Sequence, residues 1–151
     1  MEWLGQLGFA LPLGLGAVGS SLGIGAAGRA AAGAWAKEAR EGKRMNFLYI
    51  ALTGMPLSQT IYGFVIMLAL LKTRVYSPEF MALNAGAILS IGLACGLGEF
   101  LSAWMQGVIG AAGIRSMSES EGKPFTFIII AMGIAETVGL FSAFFMFLMV
   151  P

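Results

Sequence analysis

Glu136 is the only ionisable side chain in an apolar run that extends from Phe125 to Val150. As a helix rising about 1.5 Å per residue, the run is long enough to cross the roughly 30 Å hydrocarbon core of a bilayer, with Glu136 near its middle. A carboxylate there costs several kcal/mol if it is charged and unpartnered. A glutamate in this position therefore binds a cation, exchanges a proton, or stays protonated as a link between helices.

Other polar groups fall at its level. Gln106 and Glu136 lie 30 residues apart on either side of a turn near Glu121, so an antiparallel hairpin sets them at one depth. Gln59, about 14 residues into its span, reaches a similar level; Ser58 adjoins it, and Tyr62, three positions on, shares its helix face. Pro56 cannot donate to Leu52, so the helix is expected to distort locally there and expose backbone carbonyls near the same depth. Carboxylate, amide, hydroxyl and carbonyl oxygens together suit a hard cation that must lose its water. They exceed what a proton needs, which favours Na⁺ over H⁺. Glutamines that pair helices to each other would explain either amide alone, and would leave their shared depth with Glu136 a coincidence.

The elements that must hold these residues are four apolar spans, at about Phe9 to Trp35, Met45 to Leu71, Phe80 to Ile114, and Phe125 to Val150. Of 151 residues 58% are hydrophobic and 11% charged, and the mean hydropathy is +0.83, which makes the fold class all-α integral membrane. Histidine is absent and Cys95 is the single cysteine. A disulfide framework, a Cys/His zinc site and an imidazole proton relay are thereby excluded. The net charge is +1 and no basic cluster is interleaved with aromatics, so no nucleic-acid partner is expected. The chain has no G-x-x-x-x-G-K-[ST] loop; it cannot hydrolyse ATP by itself, and no organic cofactor is expected. Glu2 precedes the first span with no Lys or Arg, unlike the positive start of a cleaved signal peptide, so span one is expected to be retained.

The spans form two tandem helical hairpins, 1–75 and 76–151, produced by duplication. Ile-Gly-Ala-Ala-Gly occurs at 24–28 and again at 109–113, an offset of 85, and Ser58-Gln59-Thr60 aligns with Ala135-Glu136-Thr137 at an offset of 77. The first copy carries Gln59 where the second carries the acid, leaving one acidic centre per chain. Spans one and three are striped with small residues, Gly16, Gly19, Gly23, Ala27 and Ala30 in one and Gly92, Gly96, Ala103, Gly110 and Gly113 in the other. Such stripes let backbones approach closely. Spans two and four are filled with Leu, Ile, Met and Phe. The expectation is a tight inner layer of spans one and three and a bulky lipid-facing layer of two and four, with many hairpins packed into a homo-oligomeric ring.

Charge orients the bundle. Arg29, Lys37, Arg40, Lys43 and Arg44 sit at the first connection and Arg115 and Lys123 at the third, against Lys72 and Arg74 at the second. The positive-inside rule puts connections one and three in the cytoplasm and both termini outside. With Glu38, Glu41, Glu119 and Glu121 those connections are mixed-charge surfaces, either solvated or suited to docking another protein.

Taken together, the glycine-rich hairpins, the stretch Met55-Pro56-Leu57-Ser58-Gln59-Thr60-Ile61-Tyr62-Gly63-Phe64, Gln106 followed by Ile109-Gly110-Ala111-Ala112-Gly113-Ile114, and Ala135-Glu136-Thr137 resemble the proteolipid (c or K) subunit of V-type ATPases. The likeness covers almost the whole chain and is nearest to the bacterial sodium-pumping branch. It implies that Glu136, Gln59, Gln106, Ser58 and the Met55 carbonyl bind Na⁺, and that Tyr62 hydrogen-bonds the glutamate. It further implies a rotor ring in a prokaryotic cell membrane, bounded by lipid and driven through central stalk subunits on the cytoplasmic side. A stator membrane subunit with an essential arginine would receive the empty carboxylate. Ser58 stands where the sodium-type pattern has threonine, which keeps the hydroxyl. Glu99 has no counterpart in the pattern; a protonated packing residue on the ring interior is the favoured reading, and an outer ion-handling group the other. A proton-carrying rotor and a four-helix cation or drug antiporter are the competing functions.

Overall fold

Four long helices account for nearly all of residues 2–151, which the computed structural model describes, and no strand occurs among them. We number them α1 (Glu2–Arg40), α2 (48–75), α3 (Pro78–Glu119) and α4 (Phe125–Leu148). Each contains a segment long and apolar enough to cross a membrane. With 39 and 42 residues, α1 and α3 are rods of about 60 Å, twice the hydrocarbon thickness. The sequence reading ended span one at Trp35. Ala30, Ala31, Ala32, Ala34, Ala36 and Ala39 are strong helix formers and carry the helix on through Lys37 and Glu38.

The ends follow local chemistry. α1 stops at Gly42, whose φ of +68° lets the Lys43 N–H return to the Glu38 carbonyl at 2.9 Å. Ser77 caps α3 by accepting from the Phe80 N–H at 3.3 Å, and Pro78 and Glu79 follow in the first turn, so α3 starts two residues before the expected Phe80. α2 is not uniform. It is α-helical over Leu48–Gly54, tightens to a 3₁₀ turn at Met55–Leu57, resumes over Ser58–Val65, widens to a π-turn at Ile66–Leu71, and ends with Lys72–Val75. The tight turn falls where Pro56 lacks the N–H that an α-turn requires.

α1 and α3 run parallel and share the most extensive interface in the chain, with α2 packed on α1 and α4 on α3. Their backbones nearly touch: a Cβ on Gly92 would strike the Gly8 carbonyl, and one on Gly107 would strike the backbone of Gly23. Both pairs are 84 positions apart, close to the repeat offset of 85, so the two hairpins lie side by side in the same orientation. The stripes are divided, however. Gly16 faces the Gln59 backbone on α2, while Gly110 and Gly113 face Met132 and Ile128 on α4. Ile61, Phe64 and Leu68 of α2 and Ile134, Val138, Phe141 and Phe145 of α4 are exposed, an apolar surface suited to lipid.

Glu38 departs from the mixed-charge surface expected of it. It is buried, accepting from the Tyr49 hydroxyl at 2.5 Å and the Asn46 N–H at 2.9 Å, while the Trp35 indole donates to the Asn46 carbonyl at 2.9 Å. The α1–α2 connection is therefore pinned to the helices it joins. Glu41 and Lys43, 2.8 Å apart, remain exposed on it, and the hydrogen bond from Lys43 holds the Glu41 carboxyl below its ordinary value.

Candidate functional site

The break at Pro56 resets α2 so that Gln59 turns into the bundle, fully buried, while Ser58 and Tyr62 flank it half-buried. Opposite them, α3 presents Gln106, also fully buried, and α4 presents Glu136, half-buried. Glu136 is held by both oxygens. The Tyr62 hydroxyl donates to Oε1 at 2.9 Å, and Gln106 Nε2 donates to Oε2 at 3.2 Å. The second contact is the equal depth that the hairpin spacing required.

From Gln106 the network continues inward. Its Nε2 also reaches the Met132 carbonyl at 3.2 Å, and its Oε1 accepts from Gln59 Nε2 at 3.3 Å. Gln59 Oε1 accepts from the Ser58 hydroxyl at 3.1 Å, and that hydroxyl also lies 3.0 Å from the Met55 carbonyl. Glu136, Gln106, Gln59, Ser58, Met55 and Tyr62 thus belong to one connected set spanning α2, α3 and α4. Pro56 stands aside from it. Its carbonyl accepts from the Ser20 hydroxyl on α1 at 2.5 Å, so it shapes α2 without facing Glu136.

Every donor in the set is neutral, and no Lys or Arg enters it. The oxygens available are of the carboxylate, amide, hydroxyl and carbonyl kinds, the donor set of a hard cation. Half a turn of the Gln106 amide about its terminal bond would present Oε1 instead of Nε2 to Glu136. Two oxygens facing each other in that way need a proton or a metal cation between them.

Ser102 was not found by sequence reasoning. It accepts from Gln59 Nε2 at 3.0 Å and donates to the Ala135 carbonyl at 2.7 Å, tying the residue before Glu136 to α3. Its position four before Gln106, on the same helix face, was the available signal. Ser20 and Thr60 were missed as well. The repeat offset pairs Gln106 with Ser21, but Ser21 is exposed and bonds only the Ala17 carbonyl of its own helix at 2.8 Å. Ser20 receives Thr60 at 2.7 Å instead. Glu99 does not face the α1 seam as expected of a ring-interior residue; it points at Gly139 on α4, where a Cβ would lie 2.8 Å from its Oε2.

Comparison with known proteins matches this arrangement to a family. The family model for the ATP synthase C subunit matches residues 7–70 and again residues 89–149. The A-type ATP synthase subunit K of Methanocaldococcus jannaschii is 29% identical over 130 residues, which make up 84% of this chain and 54% of that protein. The chain therefore spans about half the length of the curated relative it matches. With one family match on each of its two parallel hairpins, and the two together covering most of its length, the chain belongs to the family of ATP synthase C subunits.

Proposed function

We propose that this chain is a non-catalytic rotor-ring subunit of a V-type ATPase or synthase, carrying one monovalent cation at Glu136 as the ring turns, with Na⁺ favoured over H⁺. The observation that carries the reading is the half-buried Glu136, held at both oxygens by Tyr62 and Gln106 and backed by Gln59, Ser58 and the Met55 carbonyl. A carboxylate needs only one partner to exchange a proton. The additional oxygens behind it are what a dehydrated Na⁺ requires.

In this mechanism α1 and α3 form the inner wall of the ring, and α2 and α4 carry the site past lipid. With Na⁺ bound the carboxylate is neutralised, Gln106 and Gln59 turn their oxygens to the ion, and Tyr62 keeps its hydrogen bond to Glu136. Moving the site through lipid empty and ionised is costly, so release is confined to a stator interface where an arginine holds the bare carboxylate. Rotation then becomes transport. The surfaces around Lys37 to Arg44 and Arg115 to Lys123 face the cytoplasm and meet the central stalk, which supplies the torque from ATP hydrolysis in other subunits. Both termini lie on the opposite side of a prokaryotic cell membrane.

A carboxyl-reactive carbodiimide, which attacks the protonated acid, tests the assignment. Mass spectrometry is expected to locate the adduct on Glu136, and Na⁺ in the millimolar range is expected to suppress it by displacing the proton. Labelling of Glu136 that ignores Na⁺ at every pH removes the sodium assignment and leaves a proton-carrying rotor. The size after mild extraction separates the rotor from an antiporter: a detergent-stable ring is expected, and a monomer or dimer contradicts it.

A further inference from the structure

Glu99 takes no part in the network around Glu136, yet it is the most deeply buried acid among the described residues. It is 0% exposed, and neither of its carboxylate oxygens has a hydrogen-bond partner. Its Oε2 and the Ser102 Oγ converge on the space in front of Gly139. A Cβ placed there would lie 2.8 Å from the first and 2.9 Å from the second, with Gln59 Cγ at 3.1 Å.

The chemistry of this notch is one-sided. The Ser102 proton is committed to the Ala135 carbonyl, and one lone pair receives Gln59 Nε2, so the hydroxyl has only a second lone pair to offer. The notch thus presents oxygen lone pairs and no donor. A proton on Glu99 would serve one oxygen and would itself need an acceptor within about 3 Å, and none stands at that distance from either oxygen. A small cation seated between the two oxygens meets both needs. It also supplies an opposite charge beside Glu99, where α3 offers none, because the one Lys or Arg on that helix is Arg115. No group of three or more His, Cys, Asp or Glu side chains occurs among the described residues, so the charge on offer suits a monovalent ion.

We propose that Glu99 and Ser102, in the notch left by Gly139, form a second position for a small monovalent metal cation of the Na⁺ class, beside the one at Glu136. It rests on the proposed reading of the chain as a carrier of such cations, and the two fail in different ways. The measurement is Na⁺ bound per chain at saturation, by equilibrium dialysis of the assembled, detergent-solubilised protein with radioactive Na⁺. The wild type is expected to bind two, and Glu136→Gln and Glu99→Gln one each. One in the wild type, none in Glu136→Gln and one in Glu99→Gln overturns the second position and leaves Glu136 standing. One in the wild type, one in Glu136→Gln and none in Glu99→Gln keeps the Glu99 position and removes the Glu136 reading; no binding in any protein removes both. If Glu99→Gln does not assemble, Gly139→Ala fills the notch with a methyl group. It is expected to bind one Na⁺ while Glu136 stays protected from carbodiimide by Na⁺, and two Na⁺ bound to that variant overturns the proposal.

Discussion

In the first hairpin Ser20 donates from α1 to the Pro56 carbonyl on α2, and Thr60 closes the contact from the same helix. In the second, Ser102 donates from α3 to the Ala135 carbonyl on α4, and the next residue on α4 is Glu136. An inner-helix serine thus ties an outer-helix carbonyl in both copies, in helices that run parallel. The outcomes differ in charge. The first copy supplies Gln59, neutral, fully buried and bonded entirely from within the bundle. The second supplies Glu136, acidic and half-buried, with its partners drawn from both hairpins. The first copy thus contributes neutral hydrogen-bonding groups, Tyr62 to Glu136 directly and Gln59 through Gln106, and the second contributes the acid.

The most severe way to break that asymmetry is Glu136→Gln, which makes the two copies alike. Coupled ion transport by the assembled complex is expected to fall to background while the ring still forms, because the amide keeps the shape and loses the exchangeable charge. A variant that still transports would sink the assignment and direct attention to Glu99. Gln106→Ala comes next. It removes the amide oxygen that the proposed mechanism turns to the ion; if that contact is worth as much as a hydrogen bond to a charged group, about 1.5–3 kcal/mol, the Na⁺ concentration that protects Glu136 from carbodiimide rises roughly 10- to 100-fold. Unchanged protection would show that α3 contributes nothing to the ion.

The seam between the copies can be tested separately. Gly107→Ala drives a methyl group into the Gly23 backbone and is expected to lower stability by about 1–3 kcal/mol, read as loss of the ring at a lower detergent or heat dose. Gly33→Ala, with nothing near the added carbon, is the matched control and is expected to leave the ring intact. The finest comparison sets the two serines against each other. Ser20→Ala and Ser102→Ala each remove two hydrogen bonds of about 1 kcal/mol apiece, one donated and one accepted. Only Ser102→Ala is expected to weaken Na⁺ protection of Glu136, by a few-fold; an equal effect from Ser20→Ala would mean that the first hairpin's own serine tie is part of the site.

Length, composition and repeat spacing determined that this chain has four membrane-length helices in two parallel hairpins. They also determined that Gln106 and Glu136 share a depth, because the helical rise per residue is nearly invariant and counting outward from the turn near Glu121 accumulates little error. Chemistry at single residues was equally legible where it acts locally, as at Pro56, whose missing N–H produced the tight turn in α2. What only the tertiary structure decided is which way side chains face. Each residue turns the helix by about 100°, so a small change in winding, such as the 3₁₀ and π turns of α2, redirects everything beyond it. On the regularly wound α1 and α3 it is the packing of neighbouring helices that chooses the face: Ser20 rather than Ser21 meets Pro56, and Glu99 faces Gly139. Packing likewise lets Ser102 join Gln59 to α4 and folds Glu38 under Tyr49 instead of leaving it to meet solvent. Depth is a property of one helix and can be counted, whereas azimuth is settled by the packing of several helices at once.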